Sequence, residues 1–171
     1  MPETPPGRRP SSSSVEMNQI VLPVHANSIG TAFGGVIMSW IDVCAAMAAT
    51  RHARRVVVTA SMDAVDFMEP VHVGDHVCLR SVVNAVGRSS MEVGVRVEAE
   101  DPLTGRRVHA VSAYLTFVAI DDAGTPTPVP PLEPETTGER LRMEEAAVRR
   151  TKRLELAAER SRLAQIQEED G

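Results

Sequence analysis

The stretch His25-Ala26-Asn27-Ser28-Ile29-Gly30-Thr31-Ala32-Phe33-Gly34-Gly35, with the run VIMSWIDVCAAMAA that follows it over 36–49, decides how the rest of the chain reads. That run is apolar nearly all the way round, which predicts a buried helix rather than an amphipathic surface one. It is too short and too glycine-led for a membrane span, which needs about 20 apolar residues. A single carboxylate, Asp42, stands in its middle. An ionised group among apolar neighbours needs a partner, access to water or a shifted acidity. Just ahead, Gly34 and Gly35 let another molecule approach backbone N–H groups at the positive end of the helix dipole. Such donors and a carboxylate one or two turns apart would make a small reaction centre. The residue types equally allow a plainer arrangement, in which the glycines start a helix and Asp42 caps a neighbouring loop.

Working outward, 16–22 predicts a first strand stopped by Pro23, and the Pro-, Arg- and Ser-rich residues 1–14 read as a disordered tail. Downstream come strand-like runs over 56–66, 76–86, 91–100 and 107–120. In the third, Met91, Val93, Val95 and Val97 alternate with Glu92, Arg96 and Glu98. Turn chemistry at 69–75, 84–90 and 101–105 separates the runs. Consecutive hairpins build an antiparallel sheet, and one long apolar helix needs a surface to cover it. The expected fold is therefore α+β, a curved antiparallel sheet wrapped round one long central helix, over 15–120. Prolines at 126, 128, 130, 131 and 134 make 121–137 a linker. The remainder, 138–171, predicts a charged C-terminal helix and tail; its weak apolar stripe suits docking at one side, with a subunit contact as its functional reading.

Composition narrows the function classes. At 171 residues the chain suits one domain with tails, and with only 3% aromatics its interior must be filled by Val, Ala, Met and Leu. A net charge of −5 argues against nucleic acid or an anionic membrane surface as partner. Cys44 and Cys78 have neither CxxC nor metal-ligand spacing, and no His/Cys/Asp/Glu cluster offers a metal site. Both cysteines lie in apolar patterns and no secretion signal is visible, so the expected compartment is reducing and cytoplasmic.

With these residues in view, the chain resembles the hotdog-fold acyl-CoA thioesterases of the cytosolic acyl-CoA hydrolase type. The likeness spans 15–120 and rests on Asn27-Ser28-Ile29-Gly30 with Phe33-Gly34-Gly35, the Asp42 helix, Val58-Thr59-Ala60-Ser61-Met62-Asp63, Asp66-Phe67 with Glu69-Pro70-Val71, Gly74-Asp75, and Gly87-Arg88-Ser89-Ser90-Met91-Glu92-Val93. The charged C-terminal helix looks like that subfamily too. The resemblance implies hydrolysis of acyl-CoA to fatty acid and coenzyme A, with Asn27 and Asp42 as catalytic residues. It also implies a homodimer pairing its sheets side by side, so that Asn27 of one chain meets Asp42 of the other. A trimer of such dimers, a homohexamer, is the implied assembly.

The residue chemistry suits that reaction. Asp42 can serve as general base or as nucleophile, and the sequence does not separate the two. The Asn27 amide can hold the water or the thioester oxygen. N–H groups of Gly34 and Gly35 can polarise the carbonyl, worth about 3 kcal/mol per donor. No cofactor is expected, coenzyme A being part of the substrate. For its phosphates and amides the candidates are Arg88, Ser89 and Ser90 in a hairpin, Arg54 and Arg55 beside Arg51 at the helix exit, and Ser61, Met62 and Asp63 on the strand beside the helix. Each set has a structural rival: a solvated turn, cations favoured at a helix C-terminus, a packed strand. His25 reads as a satisfied loop histidine, and Met38, Trp40 and Met47 as core that can also line an acyl tunnel. Two other readings remain. A hotdog hydratase or dehydratase would need a catalytic-histidine motif that is not found. A non-catalytic acyl-CoA-binding protein would be favoured if Asp42 faced packed side chains with no cleft.

Overall fold

The computed structural model describes residues 6–169. Its elements are β1 (Val15–Ile20), α1 (Gly34–Ala53), β2 (Val56–Phe67), β3 (His76–Val86), β4 (Ser90–Glu100), β5 (Arg107–Ile120) and α2 (Thr137–Glu169). The strands form one antiparallel sheet in the order β1-β3-β4-β5-β2, so β2, first to follow the helix, closes the far edge. The sheet curls round α1, the arrangement expected from the hairpins.

One stripe of α1 is buried, Ile37, Ile41, Cys44, Ala45, Ala48, Ala49 and His52, the i, i+4, i+7 spacing of a helix face. Three alanines in it let the helix lie close to the sheet. Opposite stand Val77, Leu79 and Val83 of β3, Val93, Val95 and Val97 of β4, and Ala113, Leu115 and Phe117 of β5, all buried. The alternation in β4 holds from Val93 on, whereas Glu92, on the polar face, is buried as well. Ser81 is a buried polar residue in this layer; its hydroxyl donates to the Cys44 carbonyl at 2.8 Å and accepts from the Cys44 thiol at 3.3 Å. Burial pushes that thiol's pKa up. The helix is not enclosed all round: Met38, Val43 and Met47 are exposed, so Met38 and Met47 are not core, while Trp40 packs partly against it.

The ends of the chain are tied in more than their composition suggested. The stretch expected to be a disordered tail forms, from residue 6 on, an extended piece and a 3-10 turn, Pro10–Ser13; residues 1–5 lie outside the described residues. Buried Ser13 accepts the Val83 N–H at 3.0 Å, and Arg8 donates to the His52 carbonyl at 2.7 Å. The backbone of Arg8 pairs with the proline-rich linker through Pro131 and Glu133. That linker, without helix or strand as its prolines dictate, still buries Val129 and Leu132. A capping box then starts α2: the Thr136 hydroxyl accepts the Glu139 N–H at 3.1 Å, and the Glu139 carboxylate accepts the Thr136 N–H at 3.0 Å. These bonds hold the Glu139 carboxyl below its usual pKa.

Rather than being only solvated, α2 lies on the sheet face opposite α1. Ala146 is buried there, Arg149 forks onto Glu92 at 2.7 and 3.2 Å and covers the Tyr114 ring at 3.7 Å, and Arg153 pairs with Asp63 at 2.6 Å. Among the described residues, no helix is long and apolar enough to cross a membrane.

Candidate functional site

Asp42 sits on α1 beside the buried stripe, half-buried, and lines an open cavity of 590 Å³ with Val43, Met47, Thr50 and Arg54. Its Oδ1 accepts a hydrogen bond from the Thr59 hydroxyl at 2.8 Å. The carboxylate thus has both a partner and access to water. It neither caps a loop nor faces a sealed core, which removes the observation that would have favoured a merely binding protein.

Thr59 was not singled out from the sequence. In Val56-Val57-Val58-Thr59 it looks like one more strand former, because threonine is β-branched. Its role appears only once β2 lies against α1. A polar residue on an apolar strand next to a helix carrying a lone carboxylate was the available signal.

Asn27 organises its own loop. Its Oδ1 accepts the N–H groups of Ile29 at 3.0 Å and Thr31 at 3.2 Å, and its Nδ2 donates to the Thr31 hydroxyl at 2.8 Å. Both lone pairs are engaged, leaving one Nδ2–H to spend elsewhere. Gly30, at φ +80°, makes the turn that closes this loop. Within the chain no hydrogen bond joins Asn27 to Asp42, and Asn27 does not line the Asp42 cavity. Gly34 and Gly35 open α1 behind Phe33, which contributes no side-chain cap. The first capping bonds there come from Val36 and Ile37, so the two glycine N–H groups have no backbone partner among the described residues. The Phe33 ring lies across Gly35, where an added Cβ would sit 2.6 Å from it.

The other candidates divide. Arg88, Ser89 and Ser90 form the β3–β4 hairpin; Arg88 is exposed and has no carboxylate partner among the described residues. Ser90 pairs with Val118 of β5 while Thr59, on the other side of β5, pairs with Phe117. The hairpin and Thr59 therefore stand at one level of the sheet, two strand spacings or about 10 Å apart. Arg54 reaches the Asp42 cavity, where it ends α1 in the left-handed conformation at φ 54°; Arg55 is exposed and outside that cavity. Met62 packs toward the core and Asp63 is taken by Arg153, while Ser61 pairs with Thr116 across the strands. His25 accepts the Leu22 N–H through Nδ1 and meets Trp40 edge to face at 5.1 Å, a satisfied loop histidine. Among the described residues, no three His, Cys, Asp or Glu side chains gather as a metal site requires.

The profile of the thioesterase superfamily matches residues 29–105. The chain is 48% identical over 148 residues to the uncharacterized acyl-CoA thioester hydrolase YkhA of Bacillus subtilis, covering 86% of each. It superposes on an apo-hexameric acyl-CoA thioesterase with a TM-score of 0.87 at 42% identity, covering 90% of this chain and 98% of that one. The acyl-CoA hydrolase of Staphylococcus aureus, solved with butyryl coenzyme A and coenzyme A, matches with a TM-score of 0.83 at 38% identity, over 91% and 96% of the two chains. That enzyme has also been solved with an aspartate, a threonine and an asparagine each changed to alanine. Of the mammalian thioesterases it matches, the chain spans between 24% and 36% of their length.

Proposed function

This chain belongs to the thioesterase superfamily, and on that premise we propose how it hydrolyses acyl-CoA to a carboxylic acid and coenzyme A. Attack on the thioester carbonyl places negative charge on its oxygen. The partnerless N–H groups of Gly34 and Gly35, at the positive end of α1, receive that charge. Thr59 fixes the Asp42 carboxylate by one oxygen and leaves the other free. As a base, Asp42 takes a proton from water while the water oxygen bonds to the acyl carbon; the C–S bond breaks, its electron pair leaves on sulfur, and the thiolate regains the proton. As a nucleophile, Asp42 bonds to the acyl carbon itself, coenzyme A leaves as thiolate, and water splits the mixed anhydride. The free Nδ2–H of Asn27 orients the thioester oxygen or the water. The staphylococcal variants change the residue types found here at Asp42, Thr59 and Asn27.

Two chains complete one site. The outer edge of β2 ends the sheet, and beside it Val43, Met47, Val56 and Val58 form an exposed apolar skin. A second copy adding its own β2 covers this skin and sets its Asn27 against Asp42. Three such dimers make a hexamer, and a hexameric relative supports that number of subunits. The phosphates of coenzyme A lie at Arg88, Ser89 and Ser90, with Arg54 and Arg55 as further cations and Ser61, Met62 and Asp63 flanking the pantetheine arm. The substrate brings the only cofactor group. Free Cys44 and Cys78 suit a reducing cytoplasm.

The observation that carries this reading is a solvent-reachable carboxylate on a buried helix, held by a neutral hydroxyl. Mixing inactive Asp42→Ala and Asn27→Ala subunits tests it, with thiol release from acyl-CoA as the readout. Mixed dimers hold one intact site, so roughly a quarter of wild-type activity returns if partners assort at random. No recovery would place both residues in a single chain's site or outside catalysis.

A further inference from the structure

A second cavity, of 390 Å³, lies between α2 and the sheet face that α1 does not cover. Its size falls within the range of small-molecule pockets, about 300–1,000 Å³. Its apolar wall is Met143 and Ala147 on α2 with Ala85 on β3, and Ser90, Glu92 and Glu144 also line it. Arg140, Arg150 and Arg153 stand round it. Arg153 is taken by Asp63, and Arg140 donates to the Glu135 carbonyl at 3.0 Å. Arg150 has no carboxylate partner among the described residues, and its guanidinium is seated against Gly87, 3.1 Å from where a Cβ would be. Thr116 also lines the cavity, and its buried hydroxyl has no hydrogen-bond partner among the described residues. Folded proteins seldom leave such a group unpaired.

We propose that this cavity binds a carboxylic acid of short to medium chain, its carboxylate on Arg150 and its alkyl chain along Met143 and Ala147. A guanidinium matches a carboxylate in two parallel bonds. Unbranched Met143 can shape itself to a methylene chain. A nucleotide base would instead want an open aromatic face. On this side of the sheet Tyr114 is the aromatic residue, and Arg149 already covers it. Ser90, placed above at the coenzyme A phosphates, borders the cavity too; the acid is held from the α2 side, and its binding does not depend on hydrolysis at Asp42.

Titration calorimetry of the full chain with octanoate tests the site. Saturable binding, one acid per chain, is expected in the wild type and in Asp42→Ala. Arg150→Ala, which removes the cation, and Ala147→Phe, which fills the space, should each weaken it by about tenfold or more. At saturating acyl-CoA, thiol release by these two variants should stay at the wild-type rate, so the Asp42 chemistry stands or falls by a separate readout. Absence of saturable binding, or equal affinity in both variants, would overturn the proposal. Displacement of octanoate by adenosine 3′,5′-bisphosphate would assign the cavity to a nucleotide instead. A fall in oligomer mass on Ala147→Phe would assign this face to a second copy of the chain.

Discussion

Asp42 and Glu92 are carboxylates serving opposite faces of the same sheet, one on the helix under it and one on the strand beneath the helix that crosses it. Glu92 is almost wholly buried and both its oxygens meet the Arg149 guanidinium, itself stacked on Tyr114. Asp42 is half open to solvent and has one neutral donor, Thr59. A paired, desolvated charge is committed to holding α2 in place. A charge steadied through one oxygen by a hydroxyl keeps the other available. The partner and the exposure, not the residue type, separate a fastening from a reagent.

The comparison can be broken first at Asp42. Its replacement by alanine should lower turnover by about 10²–10⁴-fold, the usual contribution of a positioned base, while urea unfolding stays close to wild type. Loss of stability without loss of rate would reverse the two roles. Glu92→Ala should do the opposite, costing about 3 kcal/mol in urea unfolding by stranding a shielded guanidinium, with turnover per folded chain retained. Replacing Glu92 and Arg149 together by leucine should recover most of that loss; a double variant as weak as the single one would mean the pair contributes more than its desolvation.

His52 sharpens the contrast between the faces, as a polar group buried on the α1 side. Its Nε2 bonds the Pro130 carbonyl at 2.9 Å, its Nδ1 has no partner among the described residues, and burial lowers its pKa. The unfolded chain therefore takes up a proton near pH 6.5 that the folded chain refuses. Stability from this group is fully present above that pH and declines below it. His52→Gln should flatten the slope of unfolding free energy against pH; an unchanged slope would trace it to other groups. The smallest effect belongs to Arg54, whose left-handed backbone ends α1. Arg54→Gly should raise stability by about 0.5 kcal/mol, strain relief being offset by a looser unfolded chain, and a lowered melting point would show that the side chain itself matters there.

Much of this was legible in the residue order. The β3 and β5 ranges follow from their apolar alternation, and α1 from its unbroken apolar run. Asn27, Asp42 and the glycine pair stood out because polar and flexible residues in an apolar setting need a reason. Thr59 did not, since among valines it satisfies every rule for an ordinary strand. The grip of α2 was hidden too: Arg149 and Glu92 lie 57 residues apart, and in a helix so rich in charge one arginine looks like the next. The packed half of the N-terminal stretch escaped for a related reason, since its bonds go to Val83, His52 and the linker.

The sequence alone therefore determined the elements, their hairpin order and the short roll of residues with chemistry to offer, because periodicity and turn propensity act between near neighbours. Only the tertiary structure decided which of those residues touch within one chain: Asp42 with Thr59, Glu92 with Arg149, Asp63 with Arg153, and Asn27 with its own loop. Hydrogen bonds and ion pairs form over about 3 Å, and what brings two side chains that close is the packing of helices on a sheet, which local spacing does not encode.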